Sequence, residues 1–335
     1  MQGSVLGPLL FLCFINDLTN SSELLKFLMF ADDTCALDKD SDLEKLTSRC
    51  NQELQKVANW FLINKISVNV SKCKFILFHK PKQKFNQDIC KIQYNSNEIG
   101  TCNDKKNIFE LTRVTSTNPD PNHHTYKYLG IHMDENLNFN THVQHLCNKL
   151  NKSLFCLNRI KNTLASKSLR TLYFSIFHSH LLYCNTILTC TSQTNINRIS
   201  ILQKKAIRSI SHTSYNDHTA PLFYKAKILP FEKVIELRKM LFMHSIHYKY
   251  SHASFANTWK KNDQRGIDPT LRNLTDFSLP FPNTDAFKKS PLYDFPKCWN
   301  NLNDSIKSQQ NIPNFKRALT NTIFSKIFAE FTETS

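Results

Sequence analysis

Hydrophobic positions fall into different rhythms along the chain. Leu43, Leu46, Cys50, Leu54, Val57 and Phe61 recur at steps of three and four, which predicts an amphipathic helix ending near Asn64. Ser41-x-x-Glu44 at its start reads as a capping box. Val5 to Ile15 is apolar throughout. Ser4 and Gly7 supply turn chemistry before it and Pro8 suits a first helical turn, so a tight loop leading into a helix is expected. Leu24 to Phe30, Ile66 to Val70, Lys74 to Phe78 and Tyr126 to Asp134 are short runs that read as strands, with Ser71-Lys72-Cys73 joining the middle two. Residues 79–125 are polar and irregular, with weak strand candidates at 91–94 and 108–114.

Beyond residue 135 the rhythm is helical. Val143, Leu146, Leu150, Leu154 and Leu157 mark one face of a helix beginning near Thr141. Further helices are expected at 166–188, 194–211, 231–249 and 312–330. Prolines 269, 280, 282, 291 and 296 predict a loop-rich stretch before the last of them. The fold class is therefore α+β, a mixed first segment followed by a mostly helical one.

Charge changes this picture more than composition does. The net charge is +16. From Asn136 to Asn216 the chain has no Asp or Glu but ten Lys or Arg, among them Lys149, Lys152, Arg159, Lys161, Lys204, Lys205 and Arg208. Solvated helices usually mix signs, so a one-sign segment favours phosphate contact, with nucleic acid ahead of a membrane surface. With five glycines in the chain, a glycine-rich nucleotide loop is nearly excluded. Eleven cysteines lack any CxxC pair and read as reduced intracellular thiols. His142-x-x-His145-x-Cys147 and His178-x-His180-x-x-x-Cys184 have ligand-type residues, but both lie in helical patterns that favour packed or surface histidines. The apolar N-terminus has no basic lead and no small-residue cleavage site, so it does not read as a secretory signal. No apolar run reaches the ~18 residues of a membrane span.

The short stretch Phe30-Ala31-Asp32-Asp33-Thr34 needs a reason, because adjacent carboxylates repel and bury poorly. A turn that uses Asp as a backbone acceptor is one reason. A pair of hard oxygen ligands for divalent metal is the other.

The order of segments bears on that choice. "QGSVLGPLLFLCFINDL", "FADDT", "NWFLINKISVNVSKCKFILF" and "YKYLGIHMDENLNFNTHV" together resemble the reverse transcriptases of non-LTR, LINE-type retrotransposons, with a Jockey-like character. "ISILQKKAIRSI" and "FPKCWNNLNDSIKSQQNIPNFKRAL" resemble their downstream segments. The resemblance implies a palm for residues 1–140 (its C-terminal half), a helical basic thumb for 141–250 and a C-terminal region for 251–335. It implies an RNA template, a DNA primer paired with it as an RNA–DNA duplex, and deoxynucleoside triphosphates as substrates, with Mg²⁺ at a two-metal site. Asp32 and Asp33 then become metal ligands. Lys72 becomes a group screening or protonating the leaving phosphate. Gln2, Gly3 and Ser4 approach template and nucleotide, and Tyr128, Leu129 and Gly130 grip the primer end. The basic residues named above lie along the nucleic-acid backbone. Nuclear localisation is expected from the resemblance, although no clear basic signal stands out.

The two-metal mechanism also needs a third carboxylate, supplied in the family by an earlier palm strand. Met1 directly precedes Gln2, and Asp17, Asp38, Asp40 and Asp42 are poor substitutes. The expectation is a truncated polymerase, inactive alone. The alternative is a non-catalytic RNA- or DNA-binding remnant that uses only its basic helices.

Overall fold

A computed structural model describes residues 3–79, 83, 85–96, 107–255, 257–262 and 276–329. The chain divides into two compact units, Met1–Leu137 and Asn138–Ser335. It mixes helices and strands, and strands among the described residues occur chiefly in the first unit.

In the first unit, α1 (Leu6–Asn16) follows the loop at Gly3, whose φ is +90°. Its N-terminus lacks a conventional cap, and the Gly7 N–H donates instead to Ser4 Oγ at 3.1 Å. Ile15 is the buried residue of this helix, while Leu6, Leu9, Leu10, Leu12 and Phe14 are exposed. A two-residue turn joins β1 (Lys26–Phe30) to β2 (Asp33–Leu37) as an antiparallel hairpin, with Phe30 opposite Asp33 and Leu28 opposite Cys35. Side chains alternate across a strand. Phe27 and Met29 accordingly turn inward onto a small core of Ile15, Leu18, Leu25 and Val57, while Leu28 and Phe30 remain exposed.

The helix α2 (Leu43–Ile63) is capped by Asp42, which accepts from the Glu44 and Lys45 N–H groups, so Ser41 is not the cap. The shift follows from Asp42 being the better-placed side-chain acceptor one residue nearer the helix. Residues 66–70 do not form the expected strand. The chain folds back from α2, with the Ile66 N–H donating to Phe61 O, and then enters a 3₁₀ turn over Val70–Lys72. Alternating apolar residues become a strand only where a neighbour offers a ladder. The next strand is shorter than expected for the same reason. β3 (Lys74–Phe75) runs parallel to β6 (Thr112–Arg113) and pairs no further. The two weak candidates in the polar region do meet partners, β4 (Gln93–Ser96) pairing antiparallel with β5 (Asn107–Glu110). β7 (Tyr126–Tyr128) and β8 (Ile131–Met133) form a second tight hairpin around Leu129 and Gly130.

The second unit opens with α3 (Asn140–Ile160). The single helix expected over 166–188 is divided into α4 (Ser166–Leu172), a π-turn (Tyr173–His178) and α5 (Ser179–Leu182), with Cys184 at φ 45° before a 3₁₀ segment over Asn185–Cys190. The π-turn is where Ser153 Oγ donates to the Ile176 carbonyl at 2.7 Å and Ser175 and Ser179 hydroxyls donate back to their own helix. Such side-chain donors loosen the regular ladder. α6 (Gln193–Ile210), α7 (Thr219–Ala226) and α8 (Phe231–His247) follow. The segment expected to be loop-rich holds α9 (Asp285–Lys289), α10 (Pro291–Asn300) and α11 (Asp304–Lys307) before α12 (Ile312–Ile327). Pro291 sits in the first turn of α10, where its missing N–H costs nothing. Pro296 lies inside the same helix, held there by burial beside Phe295 and Trp299.

Two cores organise this unit. One gathers α3, α4, the π-turn and α6 around Leu150, Tyr173, Phe177 and Ile207. The other packs α8, α10 and α12 around Trp299, Met243, Phe277 and Phe315.

Candidate active site and nucleic-acid face

The carboxylate pair sits at the tip of the β1–β2 hairpin. Ala31 and Asp32 are the two turn residues, and Ala31 has φ 53°. A positive φ at the first central position suits the twist of a hairpin, but glycine usually carries it. For a residue with a Cβ that conformation costs on the order of 1 kcal/mol. Asp32 and Asp33 are both exposed. Among the described residues no cationic side chain forms an ion pair with either.

The neighbouring acids, in contrast, are engaged. Arg49 holds Asp38 through both carboxylate oxygens, at 2.7 and 3.0 Å, and reaches Asp40 at 2.8 Å. The Arg49 hydrogen bond is the main reason the Asp38 carboxyl lies below its ordinary range. Asp42 caps α2, and Asp17 accepts from Asn20 and from the Trp60 indole. These acids hold the loop after β2 and the end of α1. Among the described residues the pair at the hairpin tip has no such duty.

Several groups face the outward side of β2. Asp33 and Cys35 share one side of the strand by alternation. The hydroxyls of Tyr126 and Tyr128 on β7 are pushed up first by burial, with the Asp33 carboxylate and the Cys35 thiol adding to the effect. The structure thus brings the hairpin around Leu129 and Gly130 toward the acidic hairpin. Leu129 and Gly130 both have positive φ, 45° and 83°, which closes the two-residue turn of β7–β8. Glu135, just past β8, ties this hairpin to the 113–116 segment. Burial alone would raise its carboxyl. Donation from the Ser116 N–H and hydroxyl and from Thr115, with Arg113 at 3.4 Å, outweighs that and holds it low.

Lys72 ends the 3₁₀ turn before β3, exposed, its N–H donating to Asn69 O. The neighbouring Cys73 contributes to the raised Tyr126 hydroxyl, so this turn also borders the tyrosine face. Gly3 and Ser4 are exposed at the loop before α1, and Gln2 lies outside the described residues. Sequence reasoning missed Tyr126, Cys35 and the strained Ala31. The period-2 spacing of Tyr126 with Tyr128, and of Asp33 with Cys35, was the available signal for the first two.

The basic residues of the second unit lie on α3, just past its end and on α6. Lys149, Lys152 and Arg159 are exposed on α3, off its buried stripe of Val143, Leu146, Leu150 and Leu157, and Lys161 follows its last turn. Lys204 is exposed on α6, with Lys205 and Arg208 half-buried beside it. His142 is buried, and burial lowers the His178 imidazole to about 4, so both behave as packed side chains. Among the described residues no group of three or more His, Cys, Asp or Glu is arranged to hold a metal ion, and no helix is long and apolar enough to cross a membrane.

The acidic hairpin, the second hairpin and the turn over Val70–Lys72 gather the candidate site residues of the first unit. Residues 1–133 match the family described as reverse transcriptase (RNA-dependent DNA polymerase), which supports the resemblance to the reverse transcriptases of non-LTR retrotransposons. Over 221 residues it is 26% identical to the RNA-directed DNA polymerase from mobile element jockey of Drosophila funebris, a match covering 63% of this chain and 21% of that protein. The jockey counterpart of Drosophila melanogaster is also 26% identical, over 63% of this chain and 21% of that protein. A probable RNA-directed DNA polymerase from transposon BS of the same fly is 27% identical, over 64% and 22% respectively. The chain therefore spans about a fifth of the length of the curated relatives it matches. No solved structure gives a significant match.

Proposed function

We propose that this chain supplies part of the catalytic centre and the nucleic-acid track of an RNA-directed DNA polymerase. The single observation that carries the reading is the exposed Asp32–Asp33 pair at a hairpin tip, without an ion-pair partner among the described residues while the surrounding acids serve structural roles. Reverse transcriptases as a family use divalent metal ions, and the donor set fits them: two adjacent hard carboxylates open to solvent. Asp32 and Asp33 would hold Mg²⁺, which when bound would activate the primer hydroxyl and stabilise the leaving pyrophosphate.

The chain's own residues then divide the remaining work. Tyr128, Leu129 and Gly130 position the primer end beside Asp33, the tight turn permitting close backbone approach. Lys72 places a cation where the departing phosphate gathers charge, and Gln2, Gly3 and Ser4 border the template and the incoming deoxynucleoside triphosphate. Residues 141–250 act as a thumb, with Lys149, Lys152, Arg159, Lys161, Lys204, Lys205 and Arg208 meeting phosphates of an RNA–DNA duplex without reading sequence. Residues 1–140 form the palm portion and 251–335 the C-terminal region. The polymerase acts in the nucleus, where chromosomal targets lie.

Two carboxylates balance only half the charge of two divalent ions. A third carboxylate would complete such a site. The test is primer extension on an RNA template by a polypeptide that contains this chain and shows synthesis. Asp32→Asn should reduce the rate by orders of magnitude while the thermal melt stays unchanged. Full activity in that variant overturns the assignment.

A further inference from the structure

The seam between α3 and α6 carries features that a purely phosphate-binding surface does not need. The two helices run parallel and in register. Thr191 Oγ1 donates to Asn138 O at 2.9 Å, Asn195 Nδ2 donates to Asn140 Oδ1 at 2.7 Å, and Arg198 donates to Gln144 Oε1. From Gln144 the same stripe of α3 continues through Asn148 and Asn151 to Phe155, at helical steps of four, three and four. From Arg198 the facing stripe of α6 continues through Ile201 and Lys205 to Arg208. With equal rise per residue, Phe155 and Arg208 arrive at the same end of the seam.

Both arrive with an aromatic–cation couple. Phe155 is 62% exposed, with the Arg159 guanidinium 5.5 Å from its ring centroid. Tyr215 is 73% exposed, with the Arg208 guanidinium 5.7 Å from its ring. Arg208 is further pinned by donating to the Asp217 carbonyl at 3.0 Å. Each ring is therefore an aromatic platform set beside a cation on a basic face, the combination that nucleic-acid surfaces use. A duplex hides its bases and offers such rings nothing to stack on. A single strand offers a π-face at every base, and Arg beside an aromatic ring adds a cation–π partner.

We infer that the α3–α6 seam is a binding track for single-stranded nucleic acid, with bases stacked on Phe155 and Tyr215 and phosphates met by Lys204, Lys205, Arg159 and Arg208. The unpaired strand crosses the seam, Asn148 and Asn151 offering amide donors and acceptors along the way. This inference rests on the proposed nucleic-acid role of the basic helices but assigns part of that face to a different form of nucleic acid.

The test uses the full chain in fluorescence anisotropy with a short uridine-rich RNA and with an RNA–DNA duplex of equal length. Phe155→Leu and Tyr215→Leu keep apolar side chains at exposed positions, so the fold is retained. Each should weaken single-strand binding about five- to a hundredfold, the range for loss of one stacked base, and leave duplex binding unchanged. Lys204→Gln combined with Lys205→Gln should weaken both and flatten the salt dependence. A 2-aminopurine within the oligonucleotide gives a second readout, since stacking quenches its emission in the parent and not in the Leu variants. Equal losses for both ligands in the Leu variants, or no loss at all, overturn the inference. Duplex binding without single-strand binding by the parent overturns the seam alone, whereas binding of neither ligand overturns the basic helices' nucleic-acid role as well.

Discussion

The acid-bearing first unit and the basic second unit spend their apolar residues differently. The second buries Trp299, Tyr173, Phe177, Phe231 and Phe315 completely in its two cores. The first packs Ile15, Leu18, Leu25 and Val57 beneath a two-stranded hairpin and leaves Leu6, Leu9, Leu10, Leu28 and Phe30 exposed along α1 and β1. Hydrophobic stabilisation scales with area removed from water, at about 25 cal/mol per Å². The helical unit therefore holds most of the stabilising burial, and the unit with the candidate chemistry holds little. Local stability is low where loops and hairpins expose their backbone and few side chains pack behind them. The metal-ligand candidates thus rest on an element held by a few clamps, chiefly Arg49 and Glu135, and not by a deep core.

Substitution of one apolar residue in each unit tests this contrast most forcefully. Trp299→Ala, in the second unit, should cost about 3–5 kcal/mol in denaturant unfolding, whereas Leu28→Thr on the open face of β1 should stay within about 0.5 kcal/mol. Equal costs would remove the distinction between the units. A second expectation is two resolved transitions in calorimetry, the first unit melting below the second. Hydrogen exchange should likewise be faster at Lys26–Leu37 than in α3 or α8. One cooperative transition with uniform protection would break the comparison.

Acid should act on the helical unit. Burial lowers His178 to about 4 and, with Lys261, His244 and Lys307 adding to it, lowers His247 to about 4. Both are pushed below their ordinary value of 6.5, so the unfolded chain binds more protons between those limits. The stability they contribute is complete above pH 6.5 and declines as the pH falls toward 4. Unfolding midpoints of the second unit should fall over that window, and His247→Gln should flatten the decline. A pH-independent midpoint would sink the linkage.

The smallest effect is expected at the hairpin tip. Ala31→Gly relieves the positive φ of 53° and should stabilise the first unit by about 0.5–1 kcal/mol, the gain in left-handed backbone less the added flexibility of glycine. A destabilised variant would mean that the Ala31 methyl packs, which its exposure does not suggest.

Much of the site was legible along the chain because its signals are local. The apolar run ending in Asp32-Asp33, the Tyr128-Leu129-Gly130 turn and the acid-free stretch from Asn136 to Asn216 all stand within a few residues or one continuous segment. The amphipathic helices α2, α3, α6 and α8 were legible for the same reason, since a period of 3.6 needs no distant partner. Elements that depend on a partner were not. Residues 66–70 alternate like a strand and have no ladder to join, while the unpromising 93–96 and 107–110 found each other. The prolines at 291 and 296 suggested loop, yet packing of Phe295 and Trp299 against α8 and α12 sustains a helix through them.

The chemical inventory is written along the chain: which carboxylates stand together, which helices carry cations and no acids, and which family the order of segments resembles. Tertiary structure decided how those groups are used. It committed Asp38, Asp40, Asp42 and Asp17 to clamps and caps, left Asp32 and Asp33 open to solvent, brought Tyr126 and Tyr128 toward Asp33, and tied α3 to α6 through Asn140–Asn195 and Gln144–Arg198. Range explains the division. Charge, propensity and periodicity act between near neighbours in the chain, whereas burial, desolvation and strand pairing are settled by residues that only folding brings together.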